Sequence, residues 1–357
     1  MNLESFLLRS PKVELHVHLE GAMRPAVLLE LARRNGVDLP AADEAGLKRW
    51  FRFRDFEHFV EVYLTCSRAL CEPEDFQLLA LDFLAEQAVQ NVVYSEVHFT
   101  ISTHLAAGRD GAGIRQALGE AIREGEKRWG VTMRLIPDIV RNNGVAAADA
   151  TLEWALAGRG APGADGDPGS PGFDAGGDVV ALGLSGSEAS FPNEPFREHF
   201  AAARRAGLHC VAHAGEHAGP ESIRSVLEVC GAERIGHGVR AVEDPALVAE
   251  LAARRIPLEV CPSSNVCLKV VPTLADHPFD RLRRAGVQLS VNSDDPPFFG
   301  TNLTREYLHL ARTFGYGPED LAGLSLAGLH HSFLPEADKQ AHEQRFRQRF
   351  AELGVVL

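Results

Sequence analysis

The sequence predicts an α/β protein of the (β/α)8 TIM-type barrel class, with extra helices inserted after the first strand. Three observations predict it: eight short apolar runs rich in β-branched residues, helical patterns between them, and polar groups where several runs end. Alternating strands and helices favour parallel pairing with right-handed crossovers. Eight such units are the number that closes a barrel. An open, doubly wound sheet is the alternative that the alternation alone allows.

The predicted strands are spread along the whole chain. In order they are Val13–His18, Val92–Phe99, Thr132–Val140, Val179–Gly186, Leu208–Glu216, Arg234–Val239, Ile256–Asn265 and Val287–Asp295. Stretches rich in alanine, leucine and arginine lie between them with helical period, as in Pro195–Ala206, Glu221–Cys230 and Pro245–Arg254. This regular succession of strand and helix favours the barrel.

The segment Ala22–Gln90 is too long for one crossover helix. It contains a helical run that ends at Leu70 and another that starts at Pro73, so we predict extra helices here. An insertion after strand one lies over the carboxyl ends of the strands, where barrel active sites are found. Its aromatic and basic part, Arg49–Phe59, is predicted to cap the pocket, although its phenylalanines also suit a core. These are Phe51, Phe53, Phe56 and Phe59.

The chain has 357 residues, of which 45% are apolar, and nothing in it marks a second domain. We therefore predict one domain over residues 1–357, a length that barrels reach. Gly158–Gly177 is rich in glycine, alanine, proline and aspartate, and it cannot bury enough apolar surface to order itself. A flexible loop is predicted there. Because it precedes the fourth strand, we expect it on the amino-terminal face, away from the chemistry.

The charge balance limits the possible partners. The net charge is −13, from 36 basic and 49 acidic residues without a basic run, which argues against nucleic acid and anionic membranes. No stretch approaches the roughly 18 apolar residues of a membrane span, and Met1–Lys12 has no apolar core of the signal-peptide type. The six cysteines are scattered without a C-x-x-C pair, as reduced thiols are. We expect a cytoplasmic protein that binds a small molecule, with its oligomeric state left open.

A candidate metal site begins with His16 and His18 at the end of the first strand. They are two residues apart, so their side chains point to the same side of the strand. Alone, such a pair is explained as well by structural histidines. His213 at the end of strand five and Asp294 at the end of strand eight add a third nitrogen and a carboxylate, and strand ends converge on one face of a barrel. This set suits zinc, with iron or manganese as alternatives.

Further polar groups stand at the same strand ends. Asp294 and Asp295 would repel each other if both were buried, and a divalent cation would offset this for one of them. Glu216, three residues past His213, is a candidate general acid if it stays protonated. His237, between two glycines, is a candidate base or orienting group, with a core histidine as the alternative. Other histidines without a strand-end partner are interpreted as structural or surface residues: His104, His199, His209, His217, His309, His330 and His331.

These polar groups belong to six short motifs. They are Pro11-Lys-Val-Glu-Leu-His16-Val-His18-Leu-Glu-Gly21, Ser185-Gly186-Ser-Glu, His213-Ala-Gly-Glu216, Gly236-His237-Gly-Val, Cys261-Pro-Ser-Ser-Asn265 and Ser293-Asp294-Asp295-Pro-Pro297. In this order and spacing the motifs resemble those of the adenosine deaminase family of metal-dependent aminohydrolases. The resemblance extends over most of the chain, and the combination of motifs carries it.

The resemblance implies that His16, His18, His213 and Asp294 hold one zinc ion, which lowers the pKa of a bound water. It also implies a hydrolysis in which this water attacks C6 of a purine ring. The products would be a 6-oxopurine and ammonia.

The remaining roles also come from the resemblance. His237 would help to deprotonate and orient the water, which Asp294 would also contact. Glu216 would protonate N1 of the ring. Asp295 would bond to N7, and the backbone N–H of Gly186 would bond to N3.

Two positions differ from the adenosine-specific pattern, which has aspartate at both: they are Glu20 and Ser187. Glutamate at the first position resembles adenine deaminases and the 6-aminodeoxyfutalosine deaminases of menaquinone synthesis. We interpret the substrate as a nucleoside, adenosine or 6-aminodeoxyfutalosine, with Glu20 and His18 among the substrate-binding residues. Free adenine is the alternative.

Two other classes of protein remain open. One is another mononuclear metal amidohydrolase that cleaves an amide or phosphoester, and the other is a barrel that only binds a ligand. Many amidohydrolases bridge two metals with a carbamylated lysine at the end of strand four, but Leu184-Ser185-Gly186 has no lysine, which indicates one metal. The cytidine-type signature H-x-E with P-C-x-x-C is also missing, since Cys267 stands six residues after Cys261.

Overall fold

A computed structural model describes residues 2–157 and 177–357 of the chain. Its eight strands pair in parallel in the order of the sequence. They are β1 Lys12–His18, β2 Val92–Phe99, β3 Thr132–Val140, β4 Ala181–Ser185, β5 His209–Ala214, β6 Arg234–His237, β7 Leu258–Val260 and β8 Leu289–Val291. The predicted barrel class is confirmed.

The sheet closes where the chain leaves β8 and runs beside β1. The His18 N–H donates to the Asp294 carbonyl at 2.9 Å, and the Asp294 N–H donates to the His16 carbonyl at 3.1 Å. Val17 and Asp294 form an isolated parallel bridge at the same place. This closure brings the segment after β8 directly against the two histidines of β1.

Helices surround the barrel. They are α1 Leu3–Arg9, α2 Pro25–Asn35, α3 Glu44–Trp50, α4 Phe56–Ala69, α5 Pro73–Val89, α6 Ile101–Ala106, α7 Gly111–Trp129, α8 Gly144–Leu156, α9 Arg197–Arg205, α10 Pro220–Ser225, α11 Pro245–Arg254, α12 Pro262–Cys267, α13 Phe279–Arg284, α14 Pro296–Phe299, α15 Leu303–Phe314, α16 Pro318–His331 and α17 Glu336–Glu352. Among the described residues, no helix combines the length and the apolar character that a membrane crossing requires.

Helices α2 to α5 all lie between β1 and β2, so the predicted insertion after the first strand is confirmed. Local signals set their ends. Helix α2 starts with Pro25 in its first turn and stops at Gly36, whose φ of 66° suits glycine. Helix α4 starts after Asp55, whose carboxylate accepts the His58 N–H at 2.9 Å. The insertion therefore consists of separately capped helices.

The predicted seventh strand, Ile256–Asn265, is too long. The structure has a strand only over Leu258–Val260, and helix α12 begins at Pro262. Proline lacks an N–H for a ladder bond but fits the first turn of a helix, so the chain turns there. The loop predicted at Gly158–Gly177 lies outside the described residues except for its last residue, and the single domain stays a prediction.

Candidate active site

The carboxyl ends of β1, β5 and β8 bring His16, His18, His213 and Asp294 together inside the barrel. All four are buried. The Nε2 atoms of His18 and His213 lie 3.2 Å apart. Asp294 Oδ1 lies 3.3 Å from His18 Nε2 and 3.6 Å from His16 Nε2. Four donor atoms therefore face one small space.

The spacing of these atoms fits a zinc ion. Zinc bonds of about 2.0–2.1 Å in a tetrahedron place neighbouring ligand atoms about 3.3–3.4 Å apart, close to the separations found here. His16 Nε2 is buried and has no hydrogen-bond partner among the described residues. Such an unpartnered buried nitrogen is costly unless something binds it. The donor set thus fits a divalent cation held by the four residues.

The far side of each ring has a partner that turns Nε2 inward. His16 Nδ1 lies 2.8 Å from Glu259 Oε2, and His213 Nδ1 lies 3.0 Å from the Leu184 carbonyl. His18 Nδ1 faces Asp138 Oδ2 at a longer 3.8 Å. Outer partners of this kind fix ring orientation and tautomer in metal sites.

Burial and neighbouring charges shift the pKa values of the three candidate metal-binding histidines in different directions. Burial lowers the pKa of His16 to about 4; the bond to Glu259 opposes this shift, and the nearby His98 and His237 add to it. Burial and the surrounding histidines also lower the pKa of His213 well below its usual value. Burial opposes protonation of His18, but the bond to Asp294 and nearby carboxylates outweigh it and raise its pKa to about 10.

The paired aspartates have different surroundings. Burial raises the pKa of Asp294, but His18, His237 and His16 outweigh burial and hold it well below its usual value. Burial and the charge of Asp294 raise the pKa of Asp295 well above its usual value. Asp295 Oδ1 is buried without a partner among the described residues. A Cβ on Gly21 would lie 1.6 Å from this oxygen, so only glycine leaves room for the Asp295 carboxyl.

Glu216 and His237 lie on another side of the same space. His237 Nε2 is 3.7 Å from Glu216 Oε1 and 4.0 Å from Asp294 Oδ2. Burial raises the pKa of Glu216, but the charge of His237 and the bond to His217 lower it overall. The role of Glu216 as a protonated general acid stays a prediction. Its Oε1 is buried and unpartnered among the described residues.

Backbone strain also concentrates here. Five described residues other than glycine have positive φ, and two of them are His237 at 63° and Asp294 at 65°. Such conformations cost about 1–3 kcal/mol each and persist where the surrounding structure imposes them. The site is therefore held in place by the barrel around it.

The loop that carries Glu216 is fastened by Glu188. The Glu188 carboxylate accepts the backbone N–H groups of Gly215, Glu216 and His217 at 2.6, 3.1 and 3.0 Å, and the Ser222 hydroxyl at 2.7 Å. Sequence analysis quoted Glu188 within a motif but gave it no role. Three of its donors come from the loop after β5 and the fourth from helix α10, so only the fold reveals the contact.

Glu20 is buried at the turn after β1. Its Oε1 lies 3.0 Å from both the Thr100 backbone nitrogen and His104 Nε2, whereas its Oε2 lies 3.4 Å from the Tyr63 hydroxyl. His104 was interpreted as structural or surface, and it is a buried partner of a candidate binding residue. His217 was also interpreted as structural or surface, and its Nδ1 lies 3.1 Å from Glu216 Oε2.

Gly186 follows β4 with a φ of 87°. An added Cβ would lie 2.5 Å from Asn142 Oδ1 and 3.0 Å from the Arg141 nitrogen, so glycine is needed at this strand end. The next N–H, that of Ser187, donates to Asn142 Oδ1 at 2.9 Å. The turn is thus fixed by the segment after β3.

Three buried residues of the site were missed. His98 on β2 packs its ring 4.6 Å from His16, and its Nδ1 lies 2.9 Å from Asp138 Oδ1 on β3. Glu259 on β7 bonds both His16 and the buried Arg234. The three missed residues, His98, Asp138 and Glu259, stand at or near a strand end, so the rule that found His16 would have pointed to them.

Aromatic side chains from the insertion lie beside the metal-ligand cluster. Phe51 contacts Phe298 with ring centres 4.9 Å apart, and Phe59 stacks on Phe299 at 5.9 Å. Tyr63 is 6.4 Å from His18. The aromatic side chains of the insertion thus pack against α14, next to the site.

A (β/α)8 barrel with histidines and carboxylates converging at the carboxyl ends of its strands is typical of metal-dependent hydrolases. The sequence model of the family described as adenosine deaminase matches residues 11–347. The chain belongs to this family of deaminases, as the resemblance predicted.

Curated relatives of similar length divide between two named activities. The chain is 39% identical over 338 residues to the aminodeoxyfutalosine deaminase of Streptomyces avermitilis, covering 95% of this chain and 90% of that protein. It is 38% identical over 333 residues to an adenine deaminase of Streptomyces coelicolor, covering 93% of each. The two names state different substrates for deamination.

Solved structures share the fold. Adenine deaminase from Arthrobacter aurescens superposes with a TM-score of 0.86 at 29% identity, covering 96% of this chain and 99% of that one. An amidohydrolase from Burkholderia ambifaria, solved with bound zinc, also superposes with a TM-score of 0.86. Its identity to this chain is 26%, and the match covers 99% of this chain and 94% of that one. A zinc-bound neighbour agrees with the donor set found here.

Proposed function

We propose that the protein removes the 6-amino group of an adenine-containing nucleoside by hydrolysis. One observation carries the proposal: Glu216 Oε1 and Asp295 Oδ1 are both buried beside the metal donors and have no hydrogen-bond partner within the part of the chain that the structure describes. A purine ring offers N1 and N7, two acceptors that such groups bind once protonated. The membership in a deaminase family supports the same reaction class.

Zinc is the proposed ion, held by His16, His18, His213 and Asp294. It supplies a water of lowered pKa at neutral pH. The metal-free His18 must lose its proton to bind it, so metal uptake releases protons.

The remaining roles, contacts to the ring and proton transfer, are assigned to three residues. Asp295, whose pKa is raised by burial and by Asp294, carries a proton that it can donate to N7. Glu216, ionised in this site, accepts a proton and returns it to N1 as C6 is attacked. The Gly186 backbone N–H is proposed to bind N3.

The substrate is proposed to be a nucleoside because of Glu20. Its Oε1 accepts from two protein donors, whereas Oε2 has, within residues 2–157 and 177–357, only the 3.4 Å contact with the Tyr63 hydroxyl. A sugar hydroxyl can therefore take a short bond to Oε2. Free adenine would leave this oxygen without such a bond, although relatives named adenine deaminase keep the base as the second candidate.

The test is ammonia release from the zinc-loaded protein with adenosine, 6-aminodeoxyfutalosine, adenine and AMP in separate reactions. Turnover of a nucleoside well above that of adenine is expected, and a Glu20→Gln variant should lose this preference. Adenine as the best substrate would replace the nucleoside with the base. Absence of turnover with all four, zinc being bound, would reject the deaminase proposal. A cytoplasmic location stays a prediction.

A further inference from the structure

A chain of buried hydrogen bonds leads away from the far side of the His237 ring. His237 Nδ1 lies 3.2 Å from Asn265 Nδ2. Asn265 Oδ1 lies 3.1 Å from His277 Nε2, and the Phe279 backbone N–H donates to His277 Nδ1 at 3.1 Å. All four residues are 0–3% exposed. The proposed reaction gives Asn265, His277 and Phe279 no role.

The direction of this chain is set at its outer end. A backbone N–H can only donate, so His277 Nδ1 must accept. In a neutral imidazole the other nitrogen then carries the proton, so His277 Nε2 donates to Asn265 Oδ1. The Asn265 amide nitrogen consequently faces His237 and donates to its Nδ1. His237 Nδ1 is an acceptor, and its proton resides on Nε2.

We infer that Asn265 and His277 are positioning residues that hold His237 as the Nε2–H tautomer, a hydrogen-bond donor toward the reacting atoms. This inference rests on the proposed function for its meaning in catalysis, but the tautomer itself follows from the hydrogen bonds alone. The roles of base and orienting group, which sequence analysis left together on His237, are thereby separated.

The near side of the ring agrees with this assignment. Nε2 faces Glu216 Oε1 at 3.7 Å and Asp294 Oδ2 at 4.0 Å, which are two carboxylate oxygens and hence acceptors. A bare Nε2 lone pair would point at both of them. A proton on Nε2 suits this space and any water oxygen within it.

The neutral state of His277, on which the direction depends, has a physical cause. Burial lowers the pKa of His277 to about 4, because a charged imidazole is poorly solvated inside the protein. Charging His277 would also leave the Phe279 N–H facing a protonated Nδ1. The ring is therefore neutral near pH 7.

The inference also decides where the proton goes in the proposed reaction. The water oxygen forms its bond to C6 and passes one proton to the Glu216 carboxylate, which delivers it to N1. When the C6–N bond breaks, the new hydroxyl gives its proton to the amine, which leaves as ammonia. His237 donates a hydrogen bond throughout and ends with the proton it began with.

The direct test is the ring-nitrogen spectrum of protein labelled with ¹⁵N histidine, in the zinc-loaded state near pH 7. A long-range ¹H–¹⁵N correlation distinguishes protonated from bare ring nitrogens, and His237→Gln and His277→Gln assign the two signals. We expect both rings to have bare Nδ1 and protonated Nε2. A protonated Nδ1 on His237 would overturn the inference.

Asn265→Asp is the matching variant because it keeps the shape and removes the amide donor. The new carboxylate can only accept, so the His237 proton should move to Nδ1, and kcat should fall by at least about 100-fold with KM nearly unchanged. A wrong tautomer has cost up to about 10⁴-fold in a serine protease triad. An unchanged tautomer and kcat in this variant would contradict the inference.

Asn193→Asp is the matched control. Asn193 is equally buried but bonds Arg141 and Ser225 and contacts neither histidine. It should leave the His237 signals in place. If Asn265→Asp does not fold, His277→Gln takes its place: an amide can reverse direction, so we expect His237 to populate both tautomers. Failure of the deaminase proposal would leave the spectra interpretable, so the two results are separable.

Discussion

At the scale of single residues, the function of the site depends on buried polar atoms that have no hydrogen-bond partner within the described part of the chain. The three candidate zinc-binding histidines turn Nε2 toward one space because Glu259, Asp138 and the Leu184 carbonyl face their other nitrogens. Glu216 Oε1 and His16 Nε2 remain buried without a partner among the described residues. These unpaired atoms identify the positions at which substrate and metal are expected to bind.

Glu216→Gln tests the proton carrier. The amide keeps the shape of the side chain but cannot accept and return a proton, so turnover should fall by about 10²–10⁴-fold. Zinc content and the unfolding midpoint should stay close to the parent values, since Glu216 is not a ligand. The matched control is Glu221→Gln, an exposed glutamate on α10. Full activity in Glu216→Gln would remove this residue from the mechanism.

His16→Ala tests the ligand assignment. It removes one of four donors, and we expect zinc content, measured by atomic emission after dialysis, to fall well below one per chain. His309→Ala, a half-buried histidine on α15 away from the site, should keep its zinc. Equal zinc content in both variants would contradict the assignment.

At the scale of elements, the loop after β5 is held by hydrogen bonds to a residue distant in sequence, Glu188. Glu188→Gln should disturb it because one acceptor oxygen becomes a donor that faces backbone N–H groups. Bonds to a charged acceptor contribute about 1.5–3 kcal/mol, so we expect the free energy of unfolding to fall by about 2 kcal/mol. A displaced Glu216 should also lower kcat by about 10–100-fold while zinc stays bound.

Chemical denaturation and steady-state kinetics check this prediction. Glu194→Gln, an exposed glutamate a few residues further along the chain, is the control and should change neither quantity. If Glu188→Gln kept both the stability and the kcat of the parent, the loop would be held by other contacts.

At the scale of the whole molecule, histidines that folding shields from water make stability depend on pH. Burial lowers the pKa of His331 to about 3, with Arg234 and His330 adding to the effect. In the unfolded chain this ring binds a proton below about pH 6.5. The unfolded state then holds more protons than the folded one, so stability is present above pH 6.5 and is lost as the pH falls.

The His331→Gln variant lacks this ring, so its unfolded state cannot bind the additional proton. In metal-free protein, the free energy of unfolding of the parent should fall more steeply from pH 6 to pH 4 than that of the variant, by up to about 1.4 kcal/mol per pH unit. Denaturation curves at fixed ionic strength measure the slopes. Metal-free protein avoids the separate effect of zinc release in acid. Parallel slopes would show that His331 does not titrate on unfolding.

Much of the barrel could be predicted because its signals are local. Apolar runs alternating with helical patterns depend on neighbouring residues, and so does the pair His16 and His18 on one side of β1. The errors also have local reasons: Pro262 ends the seventh strand early. The family motifs added the order in which strand ends contribute to the site.

Partners across the fold could not be predicted in this way. Glu188 bonds the loop at Glu216, Glu20 bonds His104, and His277 reaches His237 through Asn265. Each pair is far apart in sequence, and nothing in the local pattern states which strand end will face which.

The sequence by itself determined the eight-unit barrel, the inserted helices and the residue types available for a metal and a purine. Those properties follow from short-range periodicity and from the convergence of parallel strand ends. Only the tertiary structure decided which nitrogen of each ring faces the site and in which direction burial and neighbouring charges shift the pKa of each carboxyl. Hydrogen-bond direction and burial depend on the final placement of every neighbour, so these properties exist only once the barrel has closed.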